Sequence, residues 1–146
     1  MGVFAGKPAL VLGLGVDLIE IERIKGALEA KSGRRFEQRV YTEGEIAYCR
    51  SKADPYPHFA ARFAAKEAAM KAFGSGWTAE VFWKGIEVWN NEKGKPFLKF
   101  NGKTAELAKN IGAGGAEVSL AHDRSQAVAV ALLLAPAGGN SDSGQK

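Results

Sequence analysis

The feature of this sequence that most constrains its fold is an alanine-rich segment from His58 to Phe73. Alanine has the highest intrinsic helix propensity, and the bulky residues of the segment recur at steps of three and four, which places them on one stripe of a helix. These residues are Phe59, Phe63, Lys66, Met70 and Phe73. The segment therefore predicts a long central helix that turns a mainly apolar stripe toward the core and ends at Gly74.

Short apolar segments on both sides of this helix predict strands. Leu10 to Val16 is apolar and partly β-branched, which is typical of a buried strand, and this strand would deliver Asp17 at its end. Gly85 to Asn90 and Phe97 to Phe100 flank a turn and predict a β-hairpin. Two more strands are predicted near the C-terminus, at Glu117 to Ala121 and at Gln126 to Leu134.

Shorter helices are predicted elsewhere in the chain. From Ile19 the apolar residues have helical spacing, and the basic segment Arg34 to Val40 predicts a short helix or turn. The capping box from Thr42 to Glu45 predicts the start of a helix that continues through Cys49, because each side chain of such a box binds a free backbone N–H. Thr104 to Ile111 predicts a last short helix.

The length and composition are those of one compact domain. The 146 residues are 46% hydrophobic, which is enough for a real core. We interpret residues 10–135 as that domain, residues 1–9 as an N-terminal extension and residues 136–146 as a disordered tail rich in glycine and serine. No segment has the apolar length needed to span a membrane. Cys49 is the single cysteine, which excludes an intramolecular disulfide and favours a reducing, cytoplasmic location.

Two carboxylates and two basic residues form a candidate site for a metal ion and phosphate. Mg²⁺ takes one or two carboxylates and leaves its other positions to water and substrate phosphate, and Asp17 with Glu67 can supply that pair. Lys71 lies one turn beyond Glu67 and, with Arg62, can offset the charge of a diphosphate. The spacing of Glu67 and Lys71 is equally that of an ordinary helix ion pair, so spacing alone does not identify the site.

Five motifs follow one another along the chain. They are Gly13-Leu-Gly-Val-Asp17, Arg62-Phe-Ala-Ala-Lys-Glu67-Ala-Ala-Met-Lys71-Ala-Phe-Gly74, Ile86-Glu-Val88, Gly94-Lys-Pro96 and Val118-Ser-Leu-Ala-His122. In this order they resemble the motifs of bacterial holo-acyl-carrier-protein synthases, the short phosphopantetheinyl transferases, and the resemblance covers roughly Leu10 to Leu134. It implies an α+β 4′-phosphopantetheinyl transferase fold, in which a small, mainly antiparallel sheet packs with a long central helix. It also implies a homotrimer with the site between subunits.

The resemblance implies transfer of 4′-phosphopantetheine from coenzyme A to a serine of apo-acyl carrier protein, with release of adenosine 3′,5′-bisphosphate. By the same resemblance Asp17 and Glu67 would hold Mg²⁺, and Lys71 and Arg62 would contact phosphate groups. Either Glu67 or a metal-bound water would take the serine proton. The resemblance places three more residues near the adenosine end of coenzyme A: Lys95, Pro96 and His122.

His122 has a second interpretation, because a lone histidine at a strand end is more often a hydrogen-bonded surface residue than a catalyst. The family commonly has Ser or Thr before this histidine, whereas this chain has Ala121. A hydroxyl contact at that position is therefore not expected.

The net charge of +4 suits an anionic ligand, an acidic protein surface or nucleic acid. A nucleic-acid-binding module would use Arg34, Arg35 and Arg39, with the acidic residues merely structural. A non-catalytic coenzyme A binder would keep Arg62 and Lys71 but would need no paired carboxylates.

The paired carboxylates favour catalysis, and the resemblance favours a protein partner over nucleic acid. Acyl carrier proteins are strongly acidic, so basic residues on the outer face of the first helix and just beyond it suit their recognition helix. We expect Arg23, Arg35 and Arg39 to bind the carrier protein.

Overall fold

The fold is described by a computed structural model that covers residues 10–76 and 78–136. Within these residues the elements are β1 (Val11–Glu20), α1 (Ile21–Glu29), α2 (Gly33–Val40), α3 (Glu43–Arg50), α4 (Tyr56–Phe73), a 3₁₀ turn (Trp83–Gly85), β2 (Ile86–Asn90), β3 (Pro96–Phe100), α5 (Gly102–Asn110), β4 (Gly115–His122) and β5 (Gln126–Leu134). This mixture is the predicted α+β class. Among the described residues, no helix combines the length and the apolar character needed to cross a membrane.

The strands form two antiparallel sheets. In the larger sheet β5 lies between β1 and β4, and in the smaller one β2 pairs with β3. The register sets Asp17 opposite Ala129 and His122 opposite Ala127. Directly opposite residues share a face of the sheet, and both alanines are fully buried. Asp17 and His122 therefore belong to the inner face, which α4 covers.

Helix α4 packs against this inner face at very short range. A Cβ atom at Gly13 would lie 1.9 Å from the carbonyl oxygen of Ala72, and one at Gly15 would lie 1.8 Å from that of Ala68. Glycine is thus required at both positions, since any side chain would overlap the helix backbone. This contact places the C-terminal half of α4 beside β1. The helix ends as predicted at Gly74, which has a φ of 80°.

A buried ion pair fixes the opposite side of α4. Nζ of Lys66 lies 2.8 Å from Oε1 of Glu45, and both side chains are fully buried. The ammonium also donates hydrogen bonds to the carbonyl oxygens of Trp83 and Ile86. Oε2 of Glu45 accepts from the backbone N–H of Val88 at 2.7 Å. Because every charge has partners, the pair ties α3, α4 and β2 together without leaving a buried charge uncompensated.

The outer face of the larger sheet is apolar and exposed. The side chains that share this face along β1 and β5 include Leu14, Val16, Leu18 and Val130, which are 37–62% exposed. Single exposed apolar residues are common, but a contiguous patch of this kind marks an interaction site.

Each predicted helix and strand is present, and the boundary between the first strand and the first helix was wrong. Asp17 does not end its strand, because β1 pairs with β5 as far as Glu20, opposite Gln126. Because the strand continues through Glu20, the first helix begins at Ile21 instead of Ile19. The capping box is confirmed, with Thr42 accepting from the N–H of Glu45. The proposed extension, residues 1–9, and residues 137–146 of the proposed tail lie outside the described residues.

The packing of α4 on β1 gives a first prediction. We expect Gly15→Ala to lower the free energy of unfolding by about 1–3 kcal/mol or more, because the new methyl group meets a backbone atom that cannot rotate away. Urea unfolding followed by circular dichroism measures the change.

Gly26→Ala is the matched control for this variant. Gly26 lies within α1, and a Cβ atom there would meet nothing within 4 Å. Alanine should therefore stabilise the fold by about 0.5–1 kcal/mol. Equal stability of the two variants would contradict the close contact between α4 and β1.

Candidate active site

Three charged side chains meet where α4 crosses β1. Nζ of Lys71 lies 3.2 Å from Oδ1 of Asp17 and donates a hydrogen bond to the carbonyl oxygen of Val16 at 2.9 Å. Lys71 therefore pairs with the strand carboxylate, whereas the sequence spacing had suggested an ion pair with Glu67. Glu67 is half-buried on the same side of the helix.

The charge of Asp17 acts on Glu67. Burial raises the pKa of Glu67, and the negative charge of Asp17 raises it further. The positive charges of Lys71 and Arg23 oppose this increase in the pKa of Glu67. A cation placed between the carboxylates would relieve their repulsion.

The donor set fits Mg²⁺ in its usual role at phosphate sites. Mg²⁺ prefers carboxylate oxygen and keeps several positions for water and substrate phosphate. Asp17 and Glu67 supply two carboxylates, and no group of three or more His, Cys, Asp or Glu residues lies close enough within residues 10–76 and 78–136 to make a closed protein cage. The site is therefore suited to a metal that shares its coordination with a ligand.

Arg62 lies in a second cluster. Its side chain is 2% exposed, its guanidinium carbon lies 4.0 Å from the centre of the Tyr48 ring, and it donates a hydrogen bond to Oδ1 of Asn90. Within the described part of the chain, Nε of Arg62 has no hydrogen-bond partner. Arg62, Tyr48 and Asn90 line a cavity of about 190 Å³ that reaches the exposed indole of Trp89.

The single chain does not bring Arg62 next to Lys71, contrary to the expectation that both support one diphosphate there. The two residues are nine positions apart on α4. At about 100° per residue they project from nearly opposite sides of the helix. Lys71 faces β1, whereas Arg62 faces α3 and the β2–β3 hairpin.

The three residues that the resemblance places near the adenosine end of coenzyme A lie at or near this second cluster. His122 ends β4, and its ring lies 6.0 Å from that of His58 on α4. The amide of Asn90 donates to the carbonyl oxygen of Gly94, in the loop that leads to Lys95 and Pro96. Lys95 is exposed, with Nζ 3.8 Å from Oε1 of Glu117.

The three predicted docking arginines are all exposed, Arg23 on α1 and Arg35 and Arg39 on α2. They differ in their relation to the carboxylates. Arg23 lies close enough to Glu67 for its charge to lower the pKa of that carboxyl group, an effect that Arg35 and Arg39 do not share. Arg23 thus connects the basic surface with the acidic cluster.

Comparison with known proteins decides the family. The sequence profile of the 4′-phosphopantetheinyl transferase superfamily matches residues 13–131. The chain belongs to this superfamily. It is similar to the holo-acyl-carrier-protein synthase of Koribacter versatilis, with 44% identity over 124 residues that cover 85% of this chain and 98% of the relative.

Two solved phosphopantetheinyl transferases have a similar fold. The holo-acyl-carrier-protein synthase of Neisseria meningitidis has a TM-score of 0.78 at 27% identity, with 85% of this chain and 98% of that chain covered. The enzyme of Bacillus anthracis, in complex with CoA (3′,5′-ADP), has a TM-score of 0.72 at 31% identity, with 88% and 100% covered. The predicted family and fold are therefore confirmed.

Sequence reasoning missed several members of the second cluster. Tyr48 and His58 lie outside the five superfamily motifs, and Asn90 follows one of them without belonging to it. Their only signal was position: Tyr48 lies in the helix before α4, and His58 precedes Arg62 by one helical turn. The helical spacing places Lys66 on a mainly apolar stripe, and only the structure pairs it with Glu45.

Proposed function

We propose that this chain transfers 4′-phosphopantetheine from coenzyme A to a serine of an apo-acyl carrier protein, with Mg²⁺ held by Asp17 and Glu67. The observation that carries the proposal is the meeting of these two carboxylates with Lys71, in a chain of the phosphopantetheinyl transferase superfamily. Relatives with the same fold are named as holo-acyl-carrier-protein synthases, and one is described with coenzyme A.

The reaction joins the serine oxygen to the phosphorus next to pantetheine. The bond from that phosphorus to the oxygen of the adenosine-side phosphate breaks, and adenosine 3′,5′-bisphosphate leaves. Bound Mg²⁺ would supply positive charge to the diphosphate during this exchange. Lys71 stabilises the charge that develops on the leaving phosphate. Either Glu67 or a metal-bound water would accept the serine proton.

We further propose that the complete site lies between subunits of a homotrimer. Support comes from two features of the single chain: the acidic and the basic cluster lie on opposite sides of α4, and the outer face of the larger sheet is apolar and exposed. A second copy can cover this face and bring its Arg62 cluster to the Asp17 cluster of the first. The number of three subunits rests on the family resemblance.

The partner and the location complete the proposal. An acidic carrier protein suits the exposed Arg23, Arg35 and Arg39, since opposite charges accelerate encounter. The free thiol of Cys49 is buried and unpaired with any other cysteine, in keeping with activity in the reducing cytoplasm.

The metal assignment is tested with Asp17→Asn and Glu67→Gln. Each substitution keeps the shape of the side chain and removes one negative charge, so we expect normal folding and a loss of turnover of about a hundredfold or more. The assay is the mass gain of apo-carrier incubated with coenzyme A and Mg²⁺. Glu106→Gln, at an exposed position of α5, is the matched control. Wild-type turnover in excess chelator would contradict the metal assignment.

The shared site is tested by mixing two inactive variants. Asp17→Asn damages the acidic cluster, and Arg62→Met damages the basic cluster while keeping its bulk. If each site takes one cluster from each of two subunits, roughly a quarter of the subunit boundaries in a randomly assembled 1:1 mixture regain both intact clusters. We therefore expect activity to reappear after joint refolding. A mixture as inactive as its components, or a fully active monomer in sedimentation, would refute the shared site.

The docking surface is tested by charge reversal at Arg35, because Arg23 also acts on Glu67. Arg35→Glu should raise the KM for carrier protein several-fold and leave the KM for coenzyme A nearly unchanged. Salt should mimic this effect, since the Debye length falls from about 10 Å at 0.1 M to about 3 Å at 1 M. Lys109→Glu on α5 is the control. Equal changes in both KM values would exclude Arg35 from the docking surface.

A further inference from the structure

The two histidines of the chain contact each other beside the Arg62 cluster. The ring of His58 lies 6.0 Å from that of His122 and 5.9 Å from that of Tyr48, in an edge-to-face arrangement with both. His58 is half-buried in the first turns of α4, whereas His122 is exposed at the end of β4. His58 is therefore held between α3 and the larger sheet.

The surroundings of His58 carry an excess of positive charge. Two cations lie over the ring of Tyr48. Nζ of Lys52 is 4.5 Å from the ring centre, and the guanidinium of Arg62 is the second. The charged and titratable groups that face His58 come from α3, from the segment before α4, from α4 itself and from β4: Tyr48, Lys52, Asp54, Arg62 and His122. Asp54 is the one acidic residue in this set, so positive charge is in excess around His58, although Glu87 lines the cavity beside Arg62.

This environment disfavours the protonated form of His58 in the free protein. Burial lowers the pKa of His58, and the charges of Lys52, Arg62 and His122 lower it further, while Asp54 opposes them. Arg62 is 2% exposed, and its Nε has no partner among the described residues. A buried cationic group with an N–H unsatisfied within the described part of the chain thus lies beside the Tyr48 ring that His58 also contacts.

We infer that His58, together with His122, Arg62 and Lys52, forms a proton-linked anion site, at which binding of a phosphate monoester is accompanied by proton uptake on His58. A dianion at this position offsets the nearby cations and favours the imidazolium form. The inference rests on the proposed function, since the phosphate monoester is that of adenosine 3′,5′-bisphosphate or coenzyme A. It makes His58 a regulator of nucleotide affinity.

The direction of the pH dependence follows from the proton balance. The complex holds more protons on His58 than the free protein, so affinity is greatest at low pH and falls as pH rises through the pKa of His58 in the complex. The second ionisation of a phosphate monoester has a pKa of about 6, and the monoester releases this proton when cations bind it. The difference in proton uptake between the wild type and a His58 variant therefore gives the contribution of His58 alone.

The test is calorimetric titration of the protein with adenosine 3′,5′-bisphosphate at pH 7, in two buffers of different ionisation enthalpy. The buffer dependence of the heat gives the number of protons taken up. We expect His58→Gln to take up fewer protons than wild type by about half a proton or more and to bind with a weaker pH dependence. His122→Gln, which keeps His58, should retain most of the uptake.

Proton NMR of the wild type provides a readout that needs no folded variant. With two histidines in the chain, the C2 proton signals are few, and that of His58 should titrate at higher pH once the bisphosphate is bound. Equal proton uptake in wild type and His58→Gln, or an unchanged His58 titration in the saturated complex, overturns the inference. If either result is found while the wild type still modifies apo-carrier, the proposed function is retained and only the inference about His58 is lost. A wild type that neither binds the bisphosphate nor modifies carrier refutes the proposed function and the inference together.

Discussion

The site depends on the contact between the backbone of α4 and the two glycines of β1. Gly13 and Gly15 have no side chain to separate the helix from the strand, so the carbonyl oxygens of α4 approach the strand backbone directly. Only at this short distance does Nζ of Lys71 reach both Asp17 and the carbonyl oxygen of Val16. The contact thus turns two separate charged segments into one acidic cluster with its own counter-charge.

The same helix carries charge on two sides, Arg62 and Lys66 on one and Glu67 and Lys71 on the other, and these charges have different consequences. Lys66 points inward to Glu45 and stabilises the packing of α3 and β2. Glu67 and Lys71 lie toward β1, where they form the acidic cluster with Asp17. Arg62 points away from them, toward Tyr48 and Asn90. The two clusters are therefore separated by the helix within one chain, and the proposed homotrimer would bring them to one ligand.

Local features were predicted well because their causes are local. The capping box of Thr42, the glycine end of α4 and the turn of the β-hairpin each depend on a few adjacent residues. The length of β1 was predicted poorly because it depends on pairing with β5, more than a hundred positions away, which carries the strand past Asp17 to Glu20. Alternation along β1 then divides its residues between an inner face with Asp17 and an exposed apolar face.

The sequence by itself determined the family, the long helix and the identity of Asp17, Glu67 and Lys71 as a candidate metal and phosphate site, since ordered motifs and helical spacing are properties of the chain. The tertiary structure decided which charges meet. It paired Lys71 with Asp17, gave Lys66 a buried partner and moved Arg62 into a cluster with Tyr48 near His58 and His122. The physical reason is that helical rotation and strand register set the direction of each side chain, and only packing shows what lies in that direction.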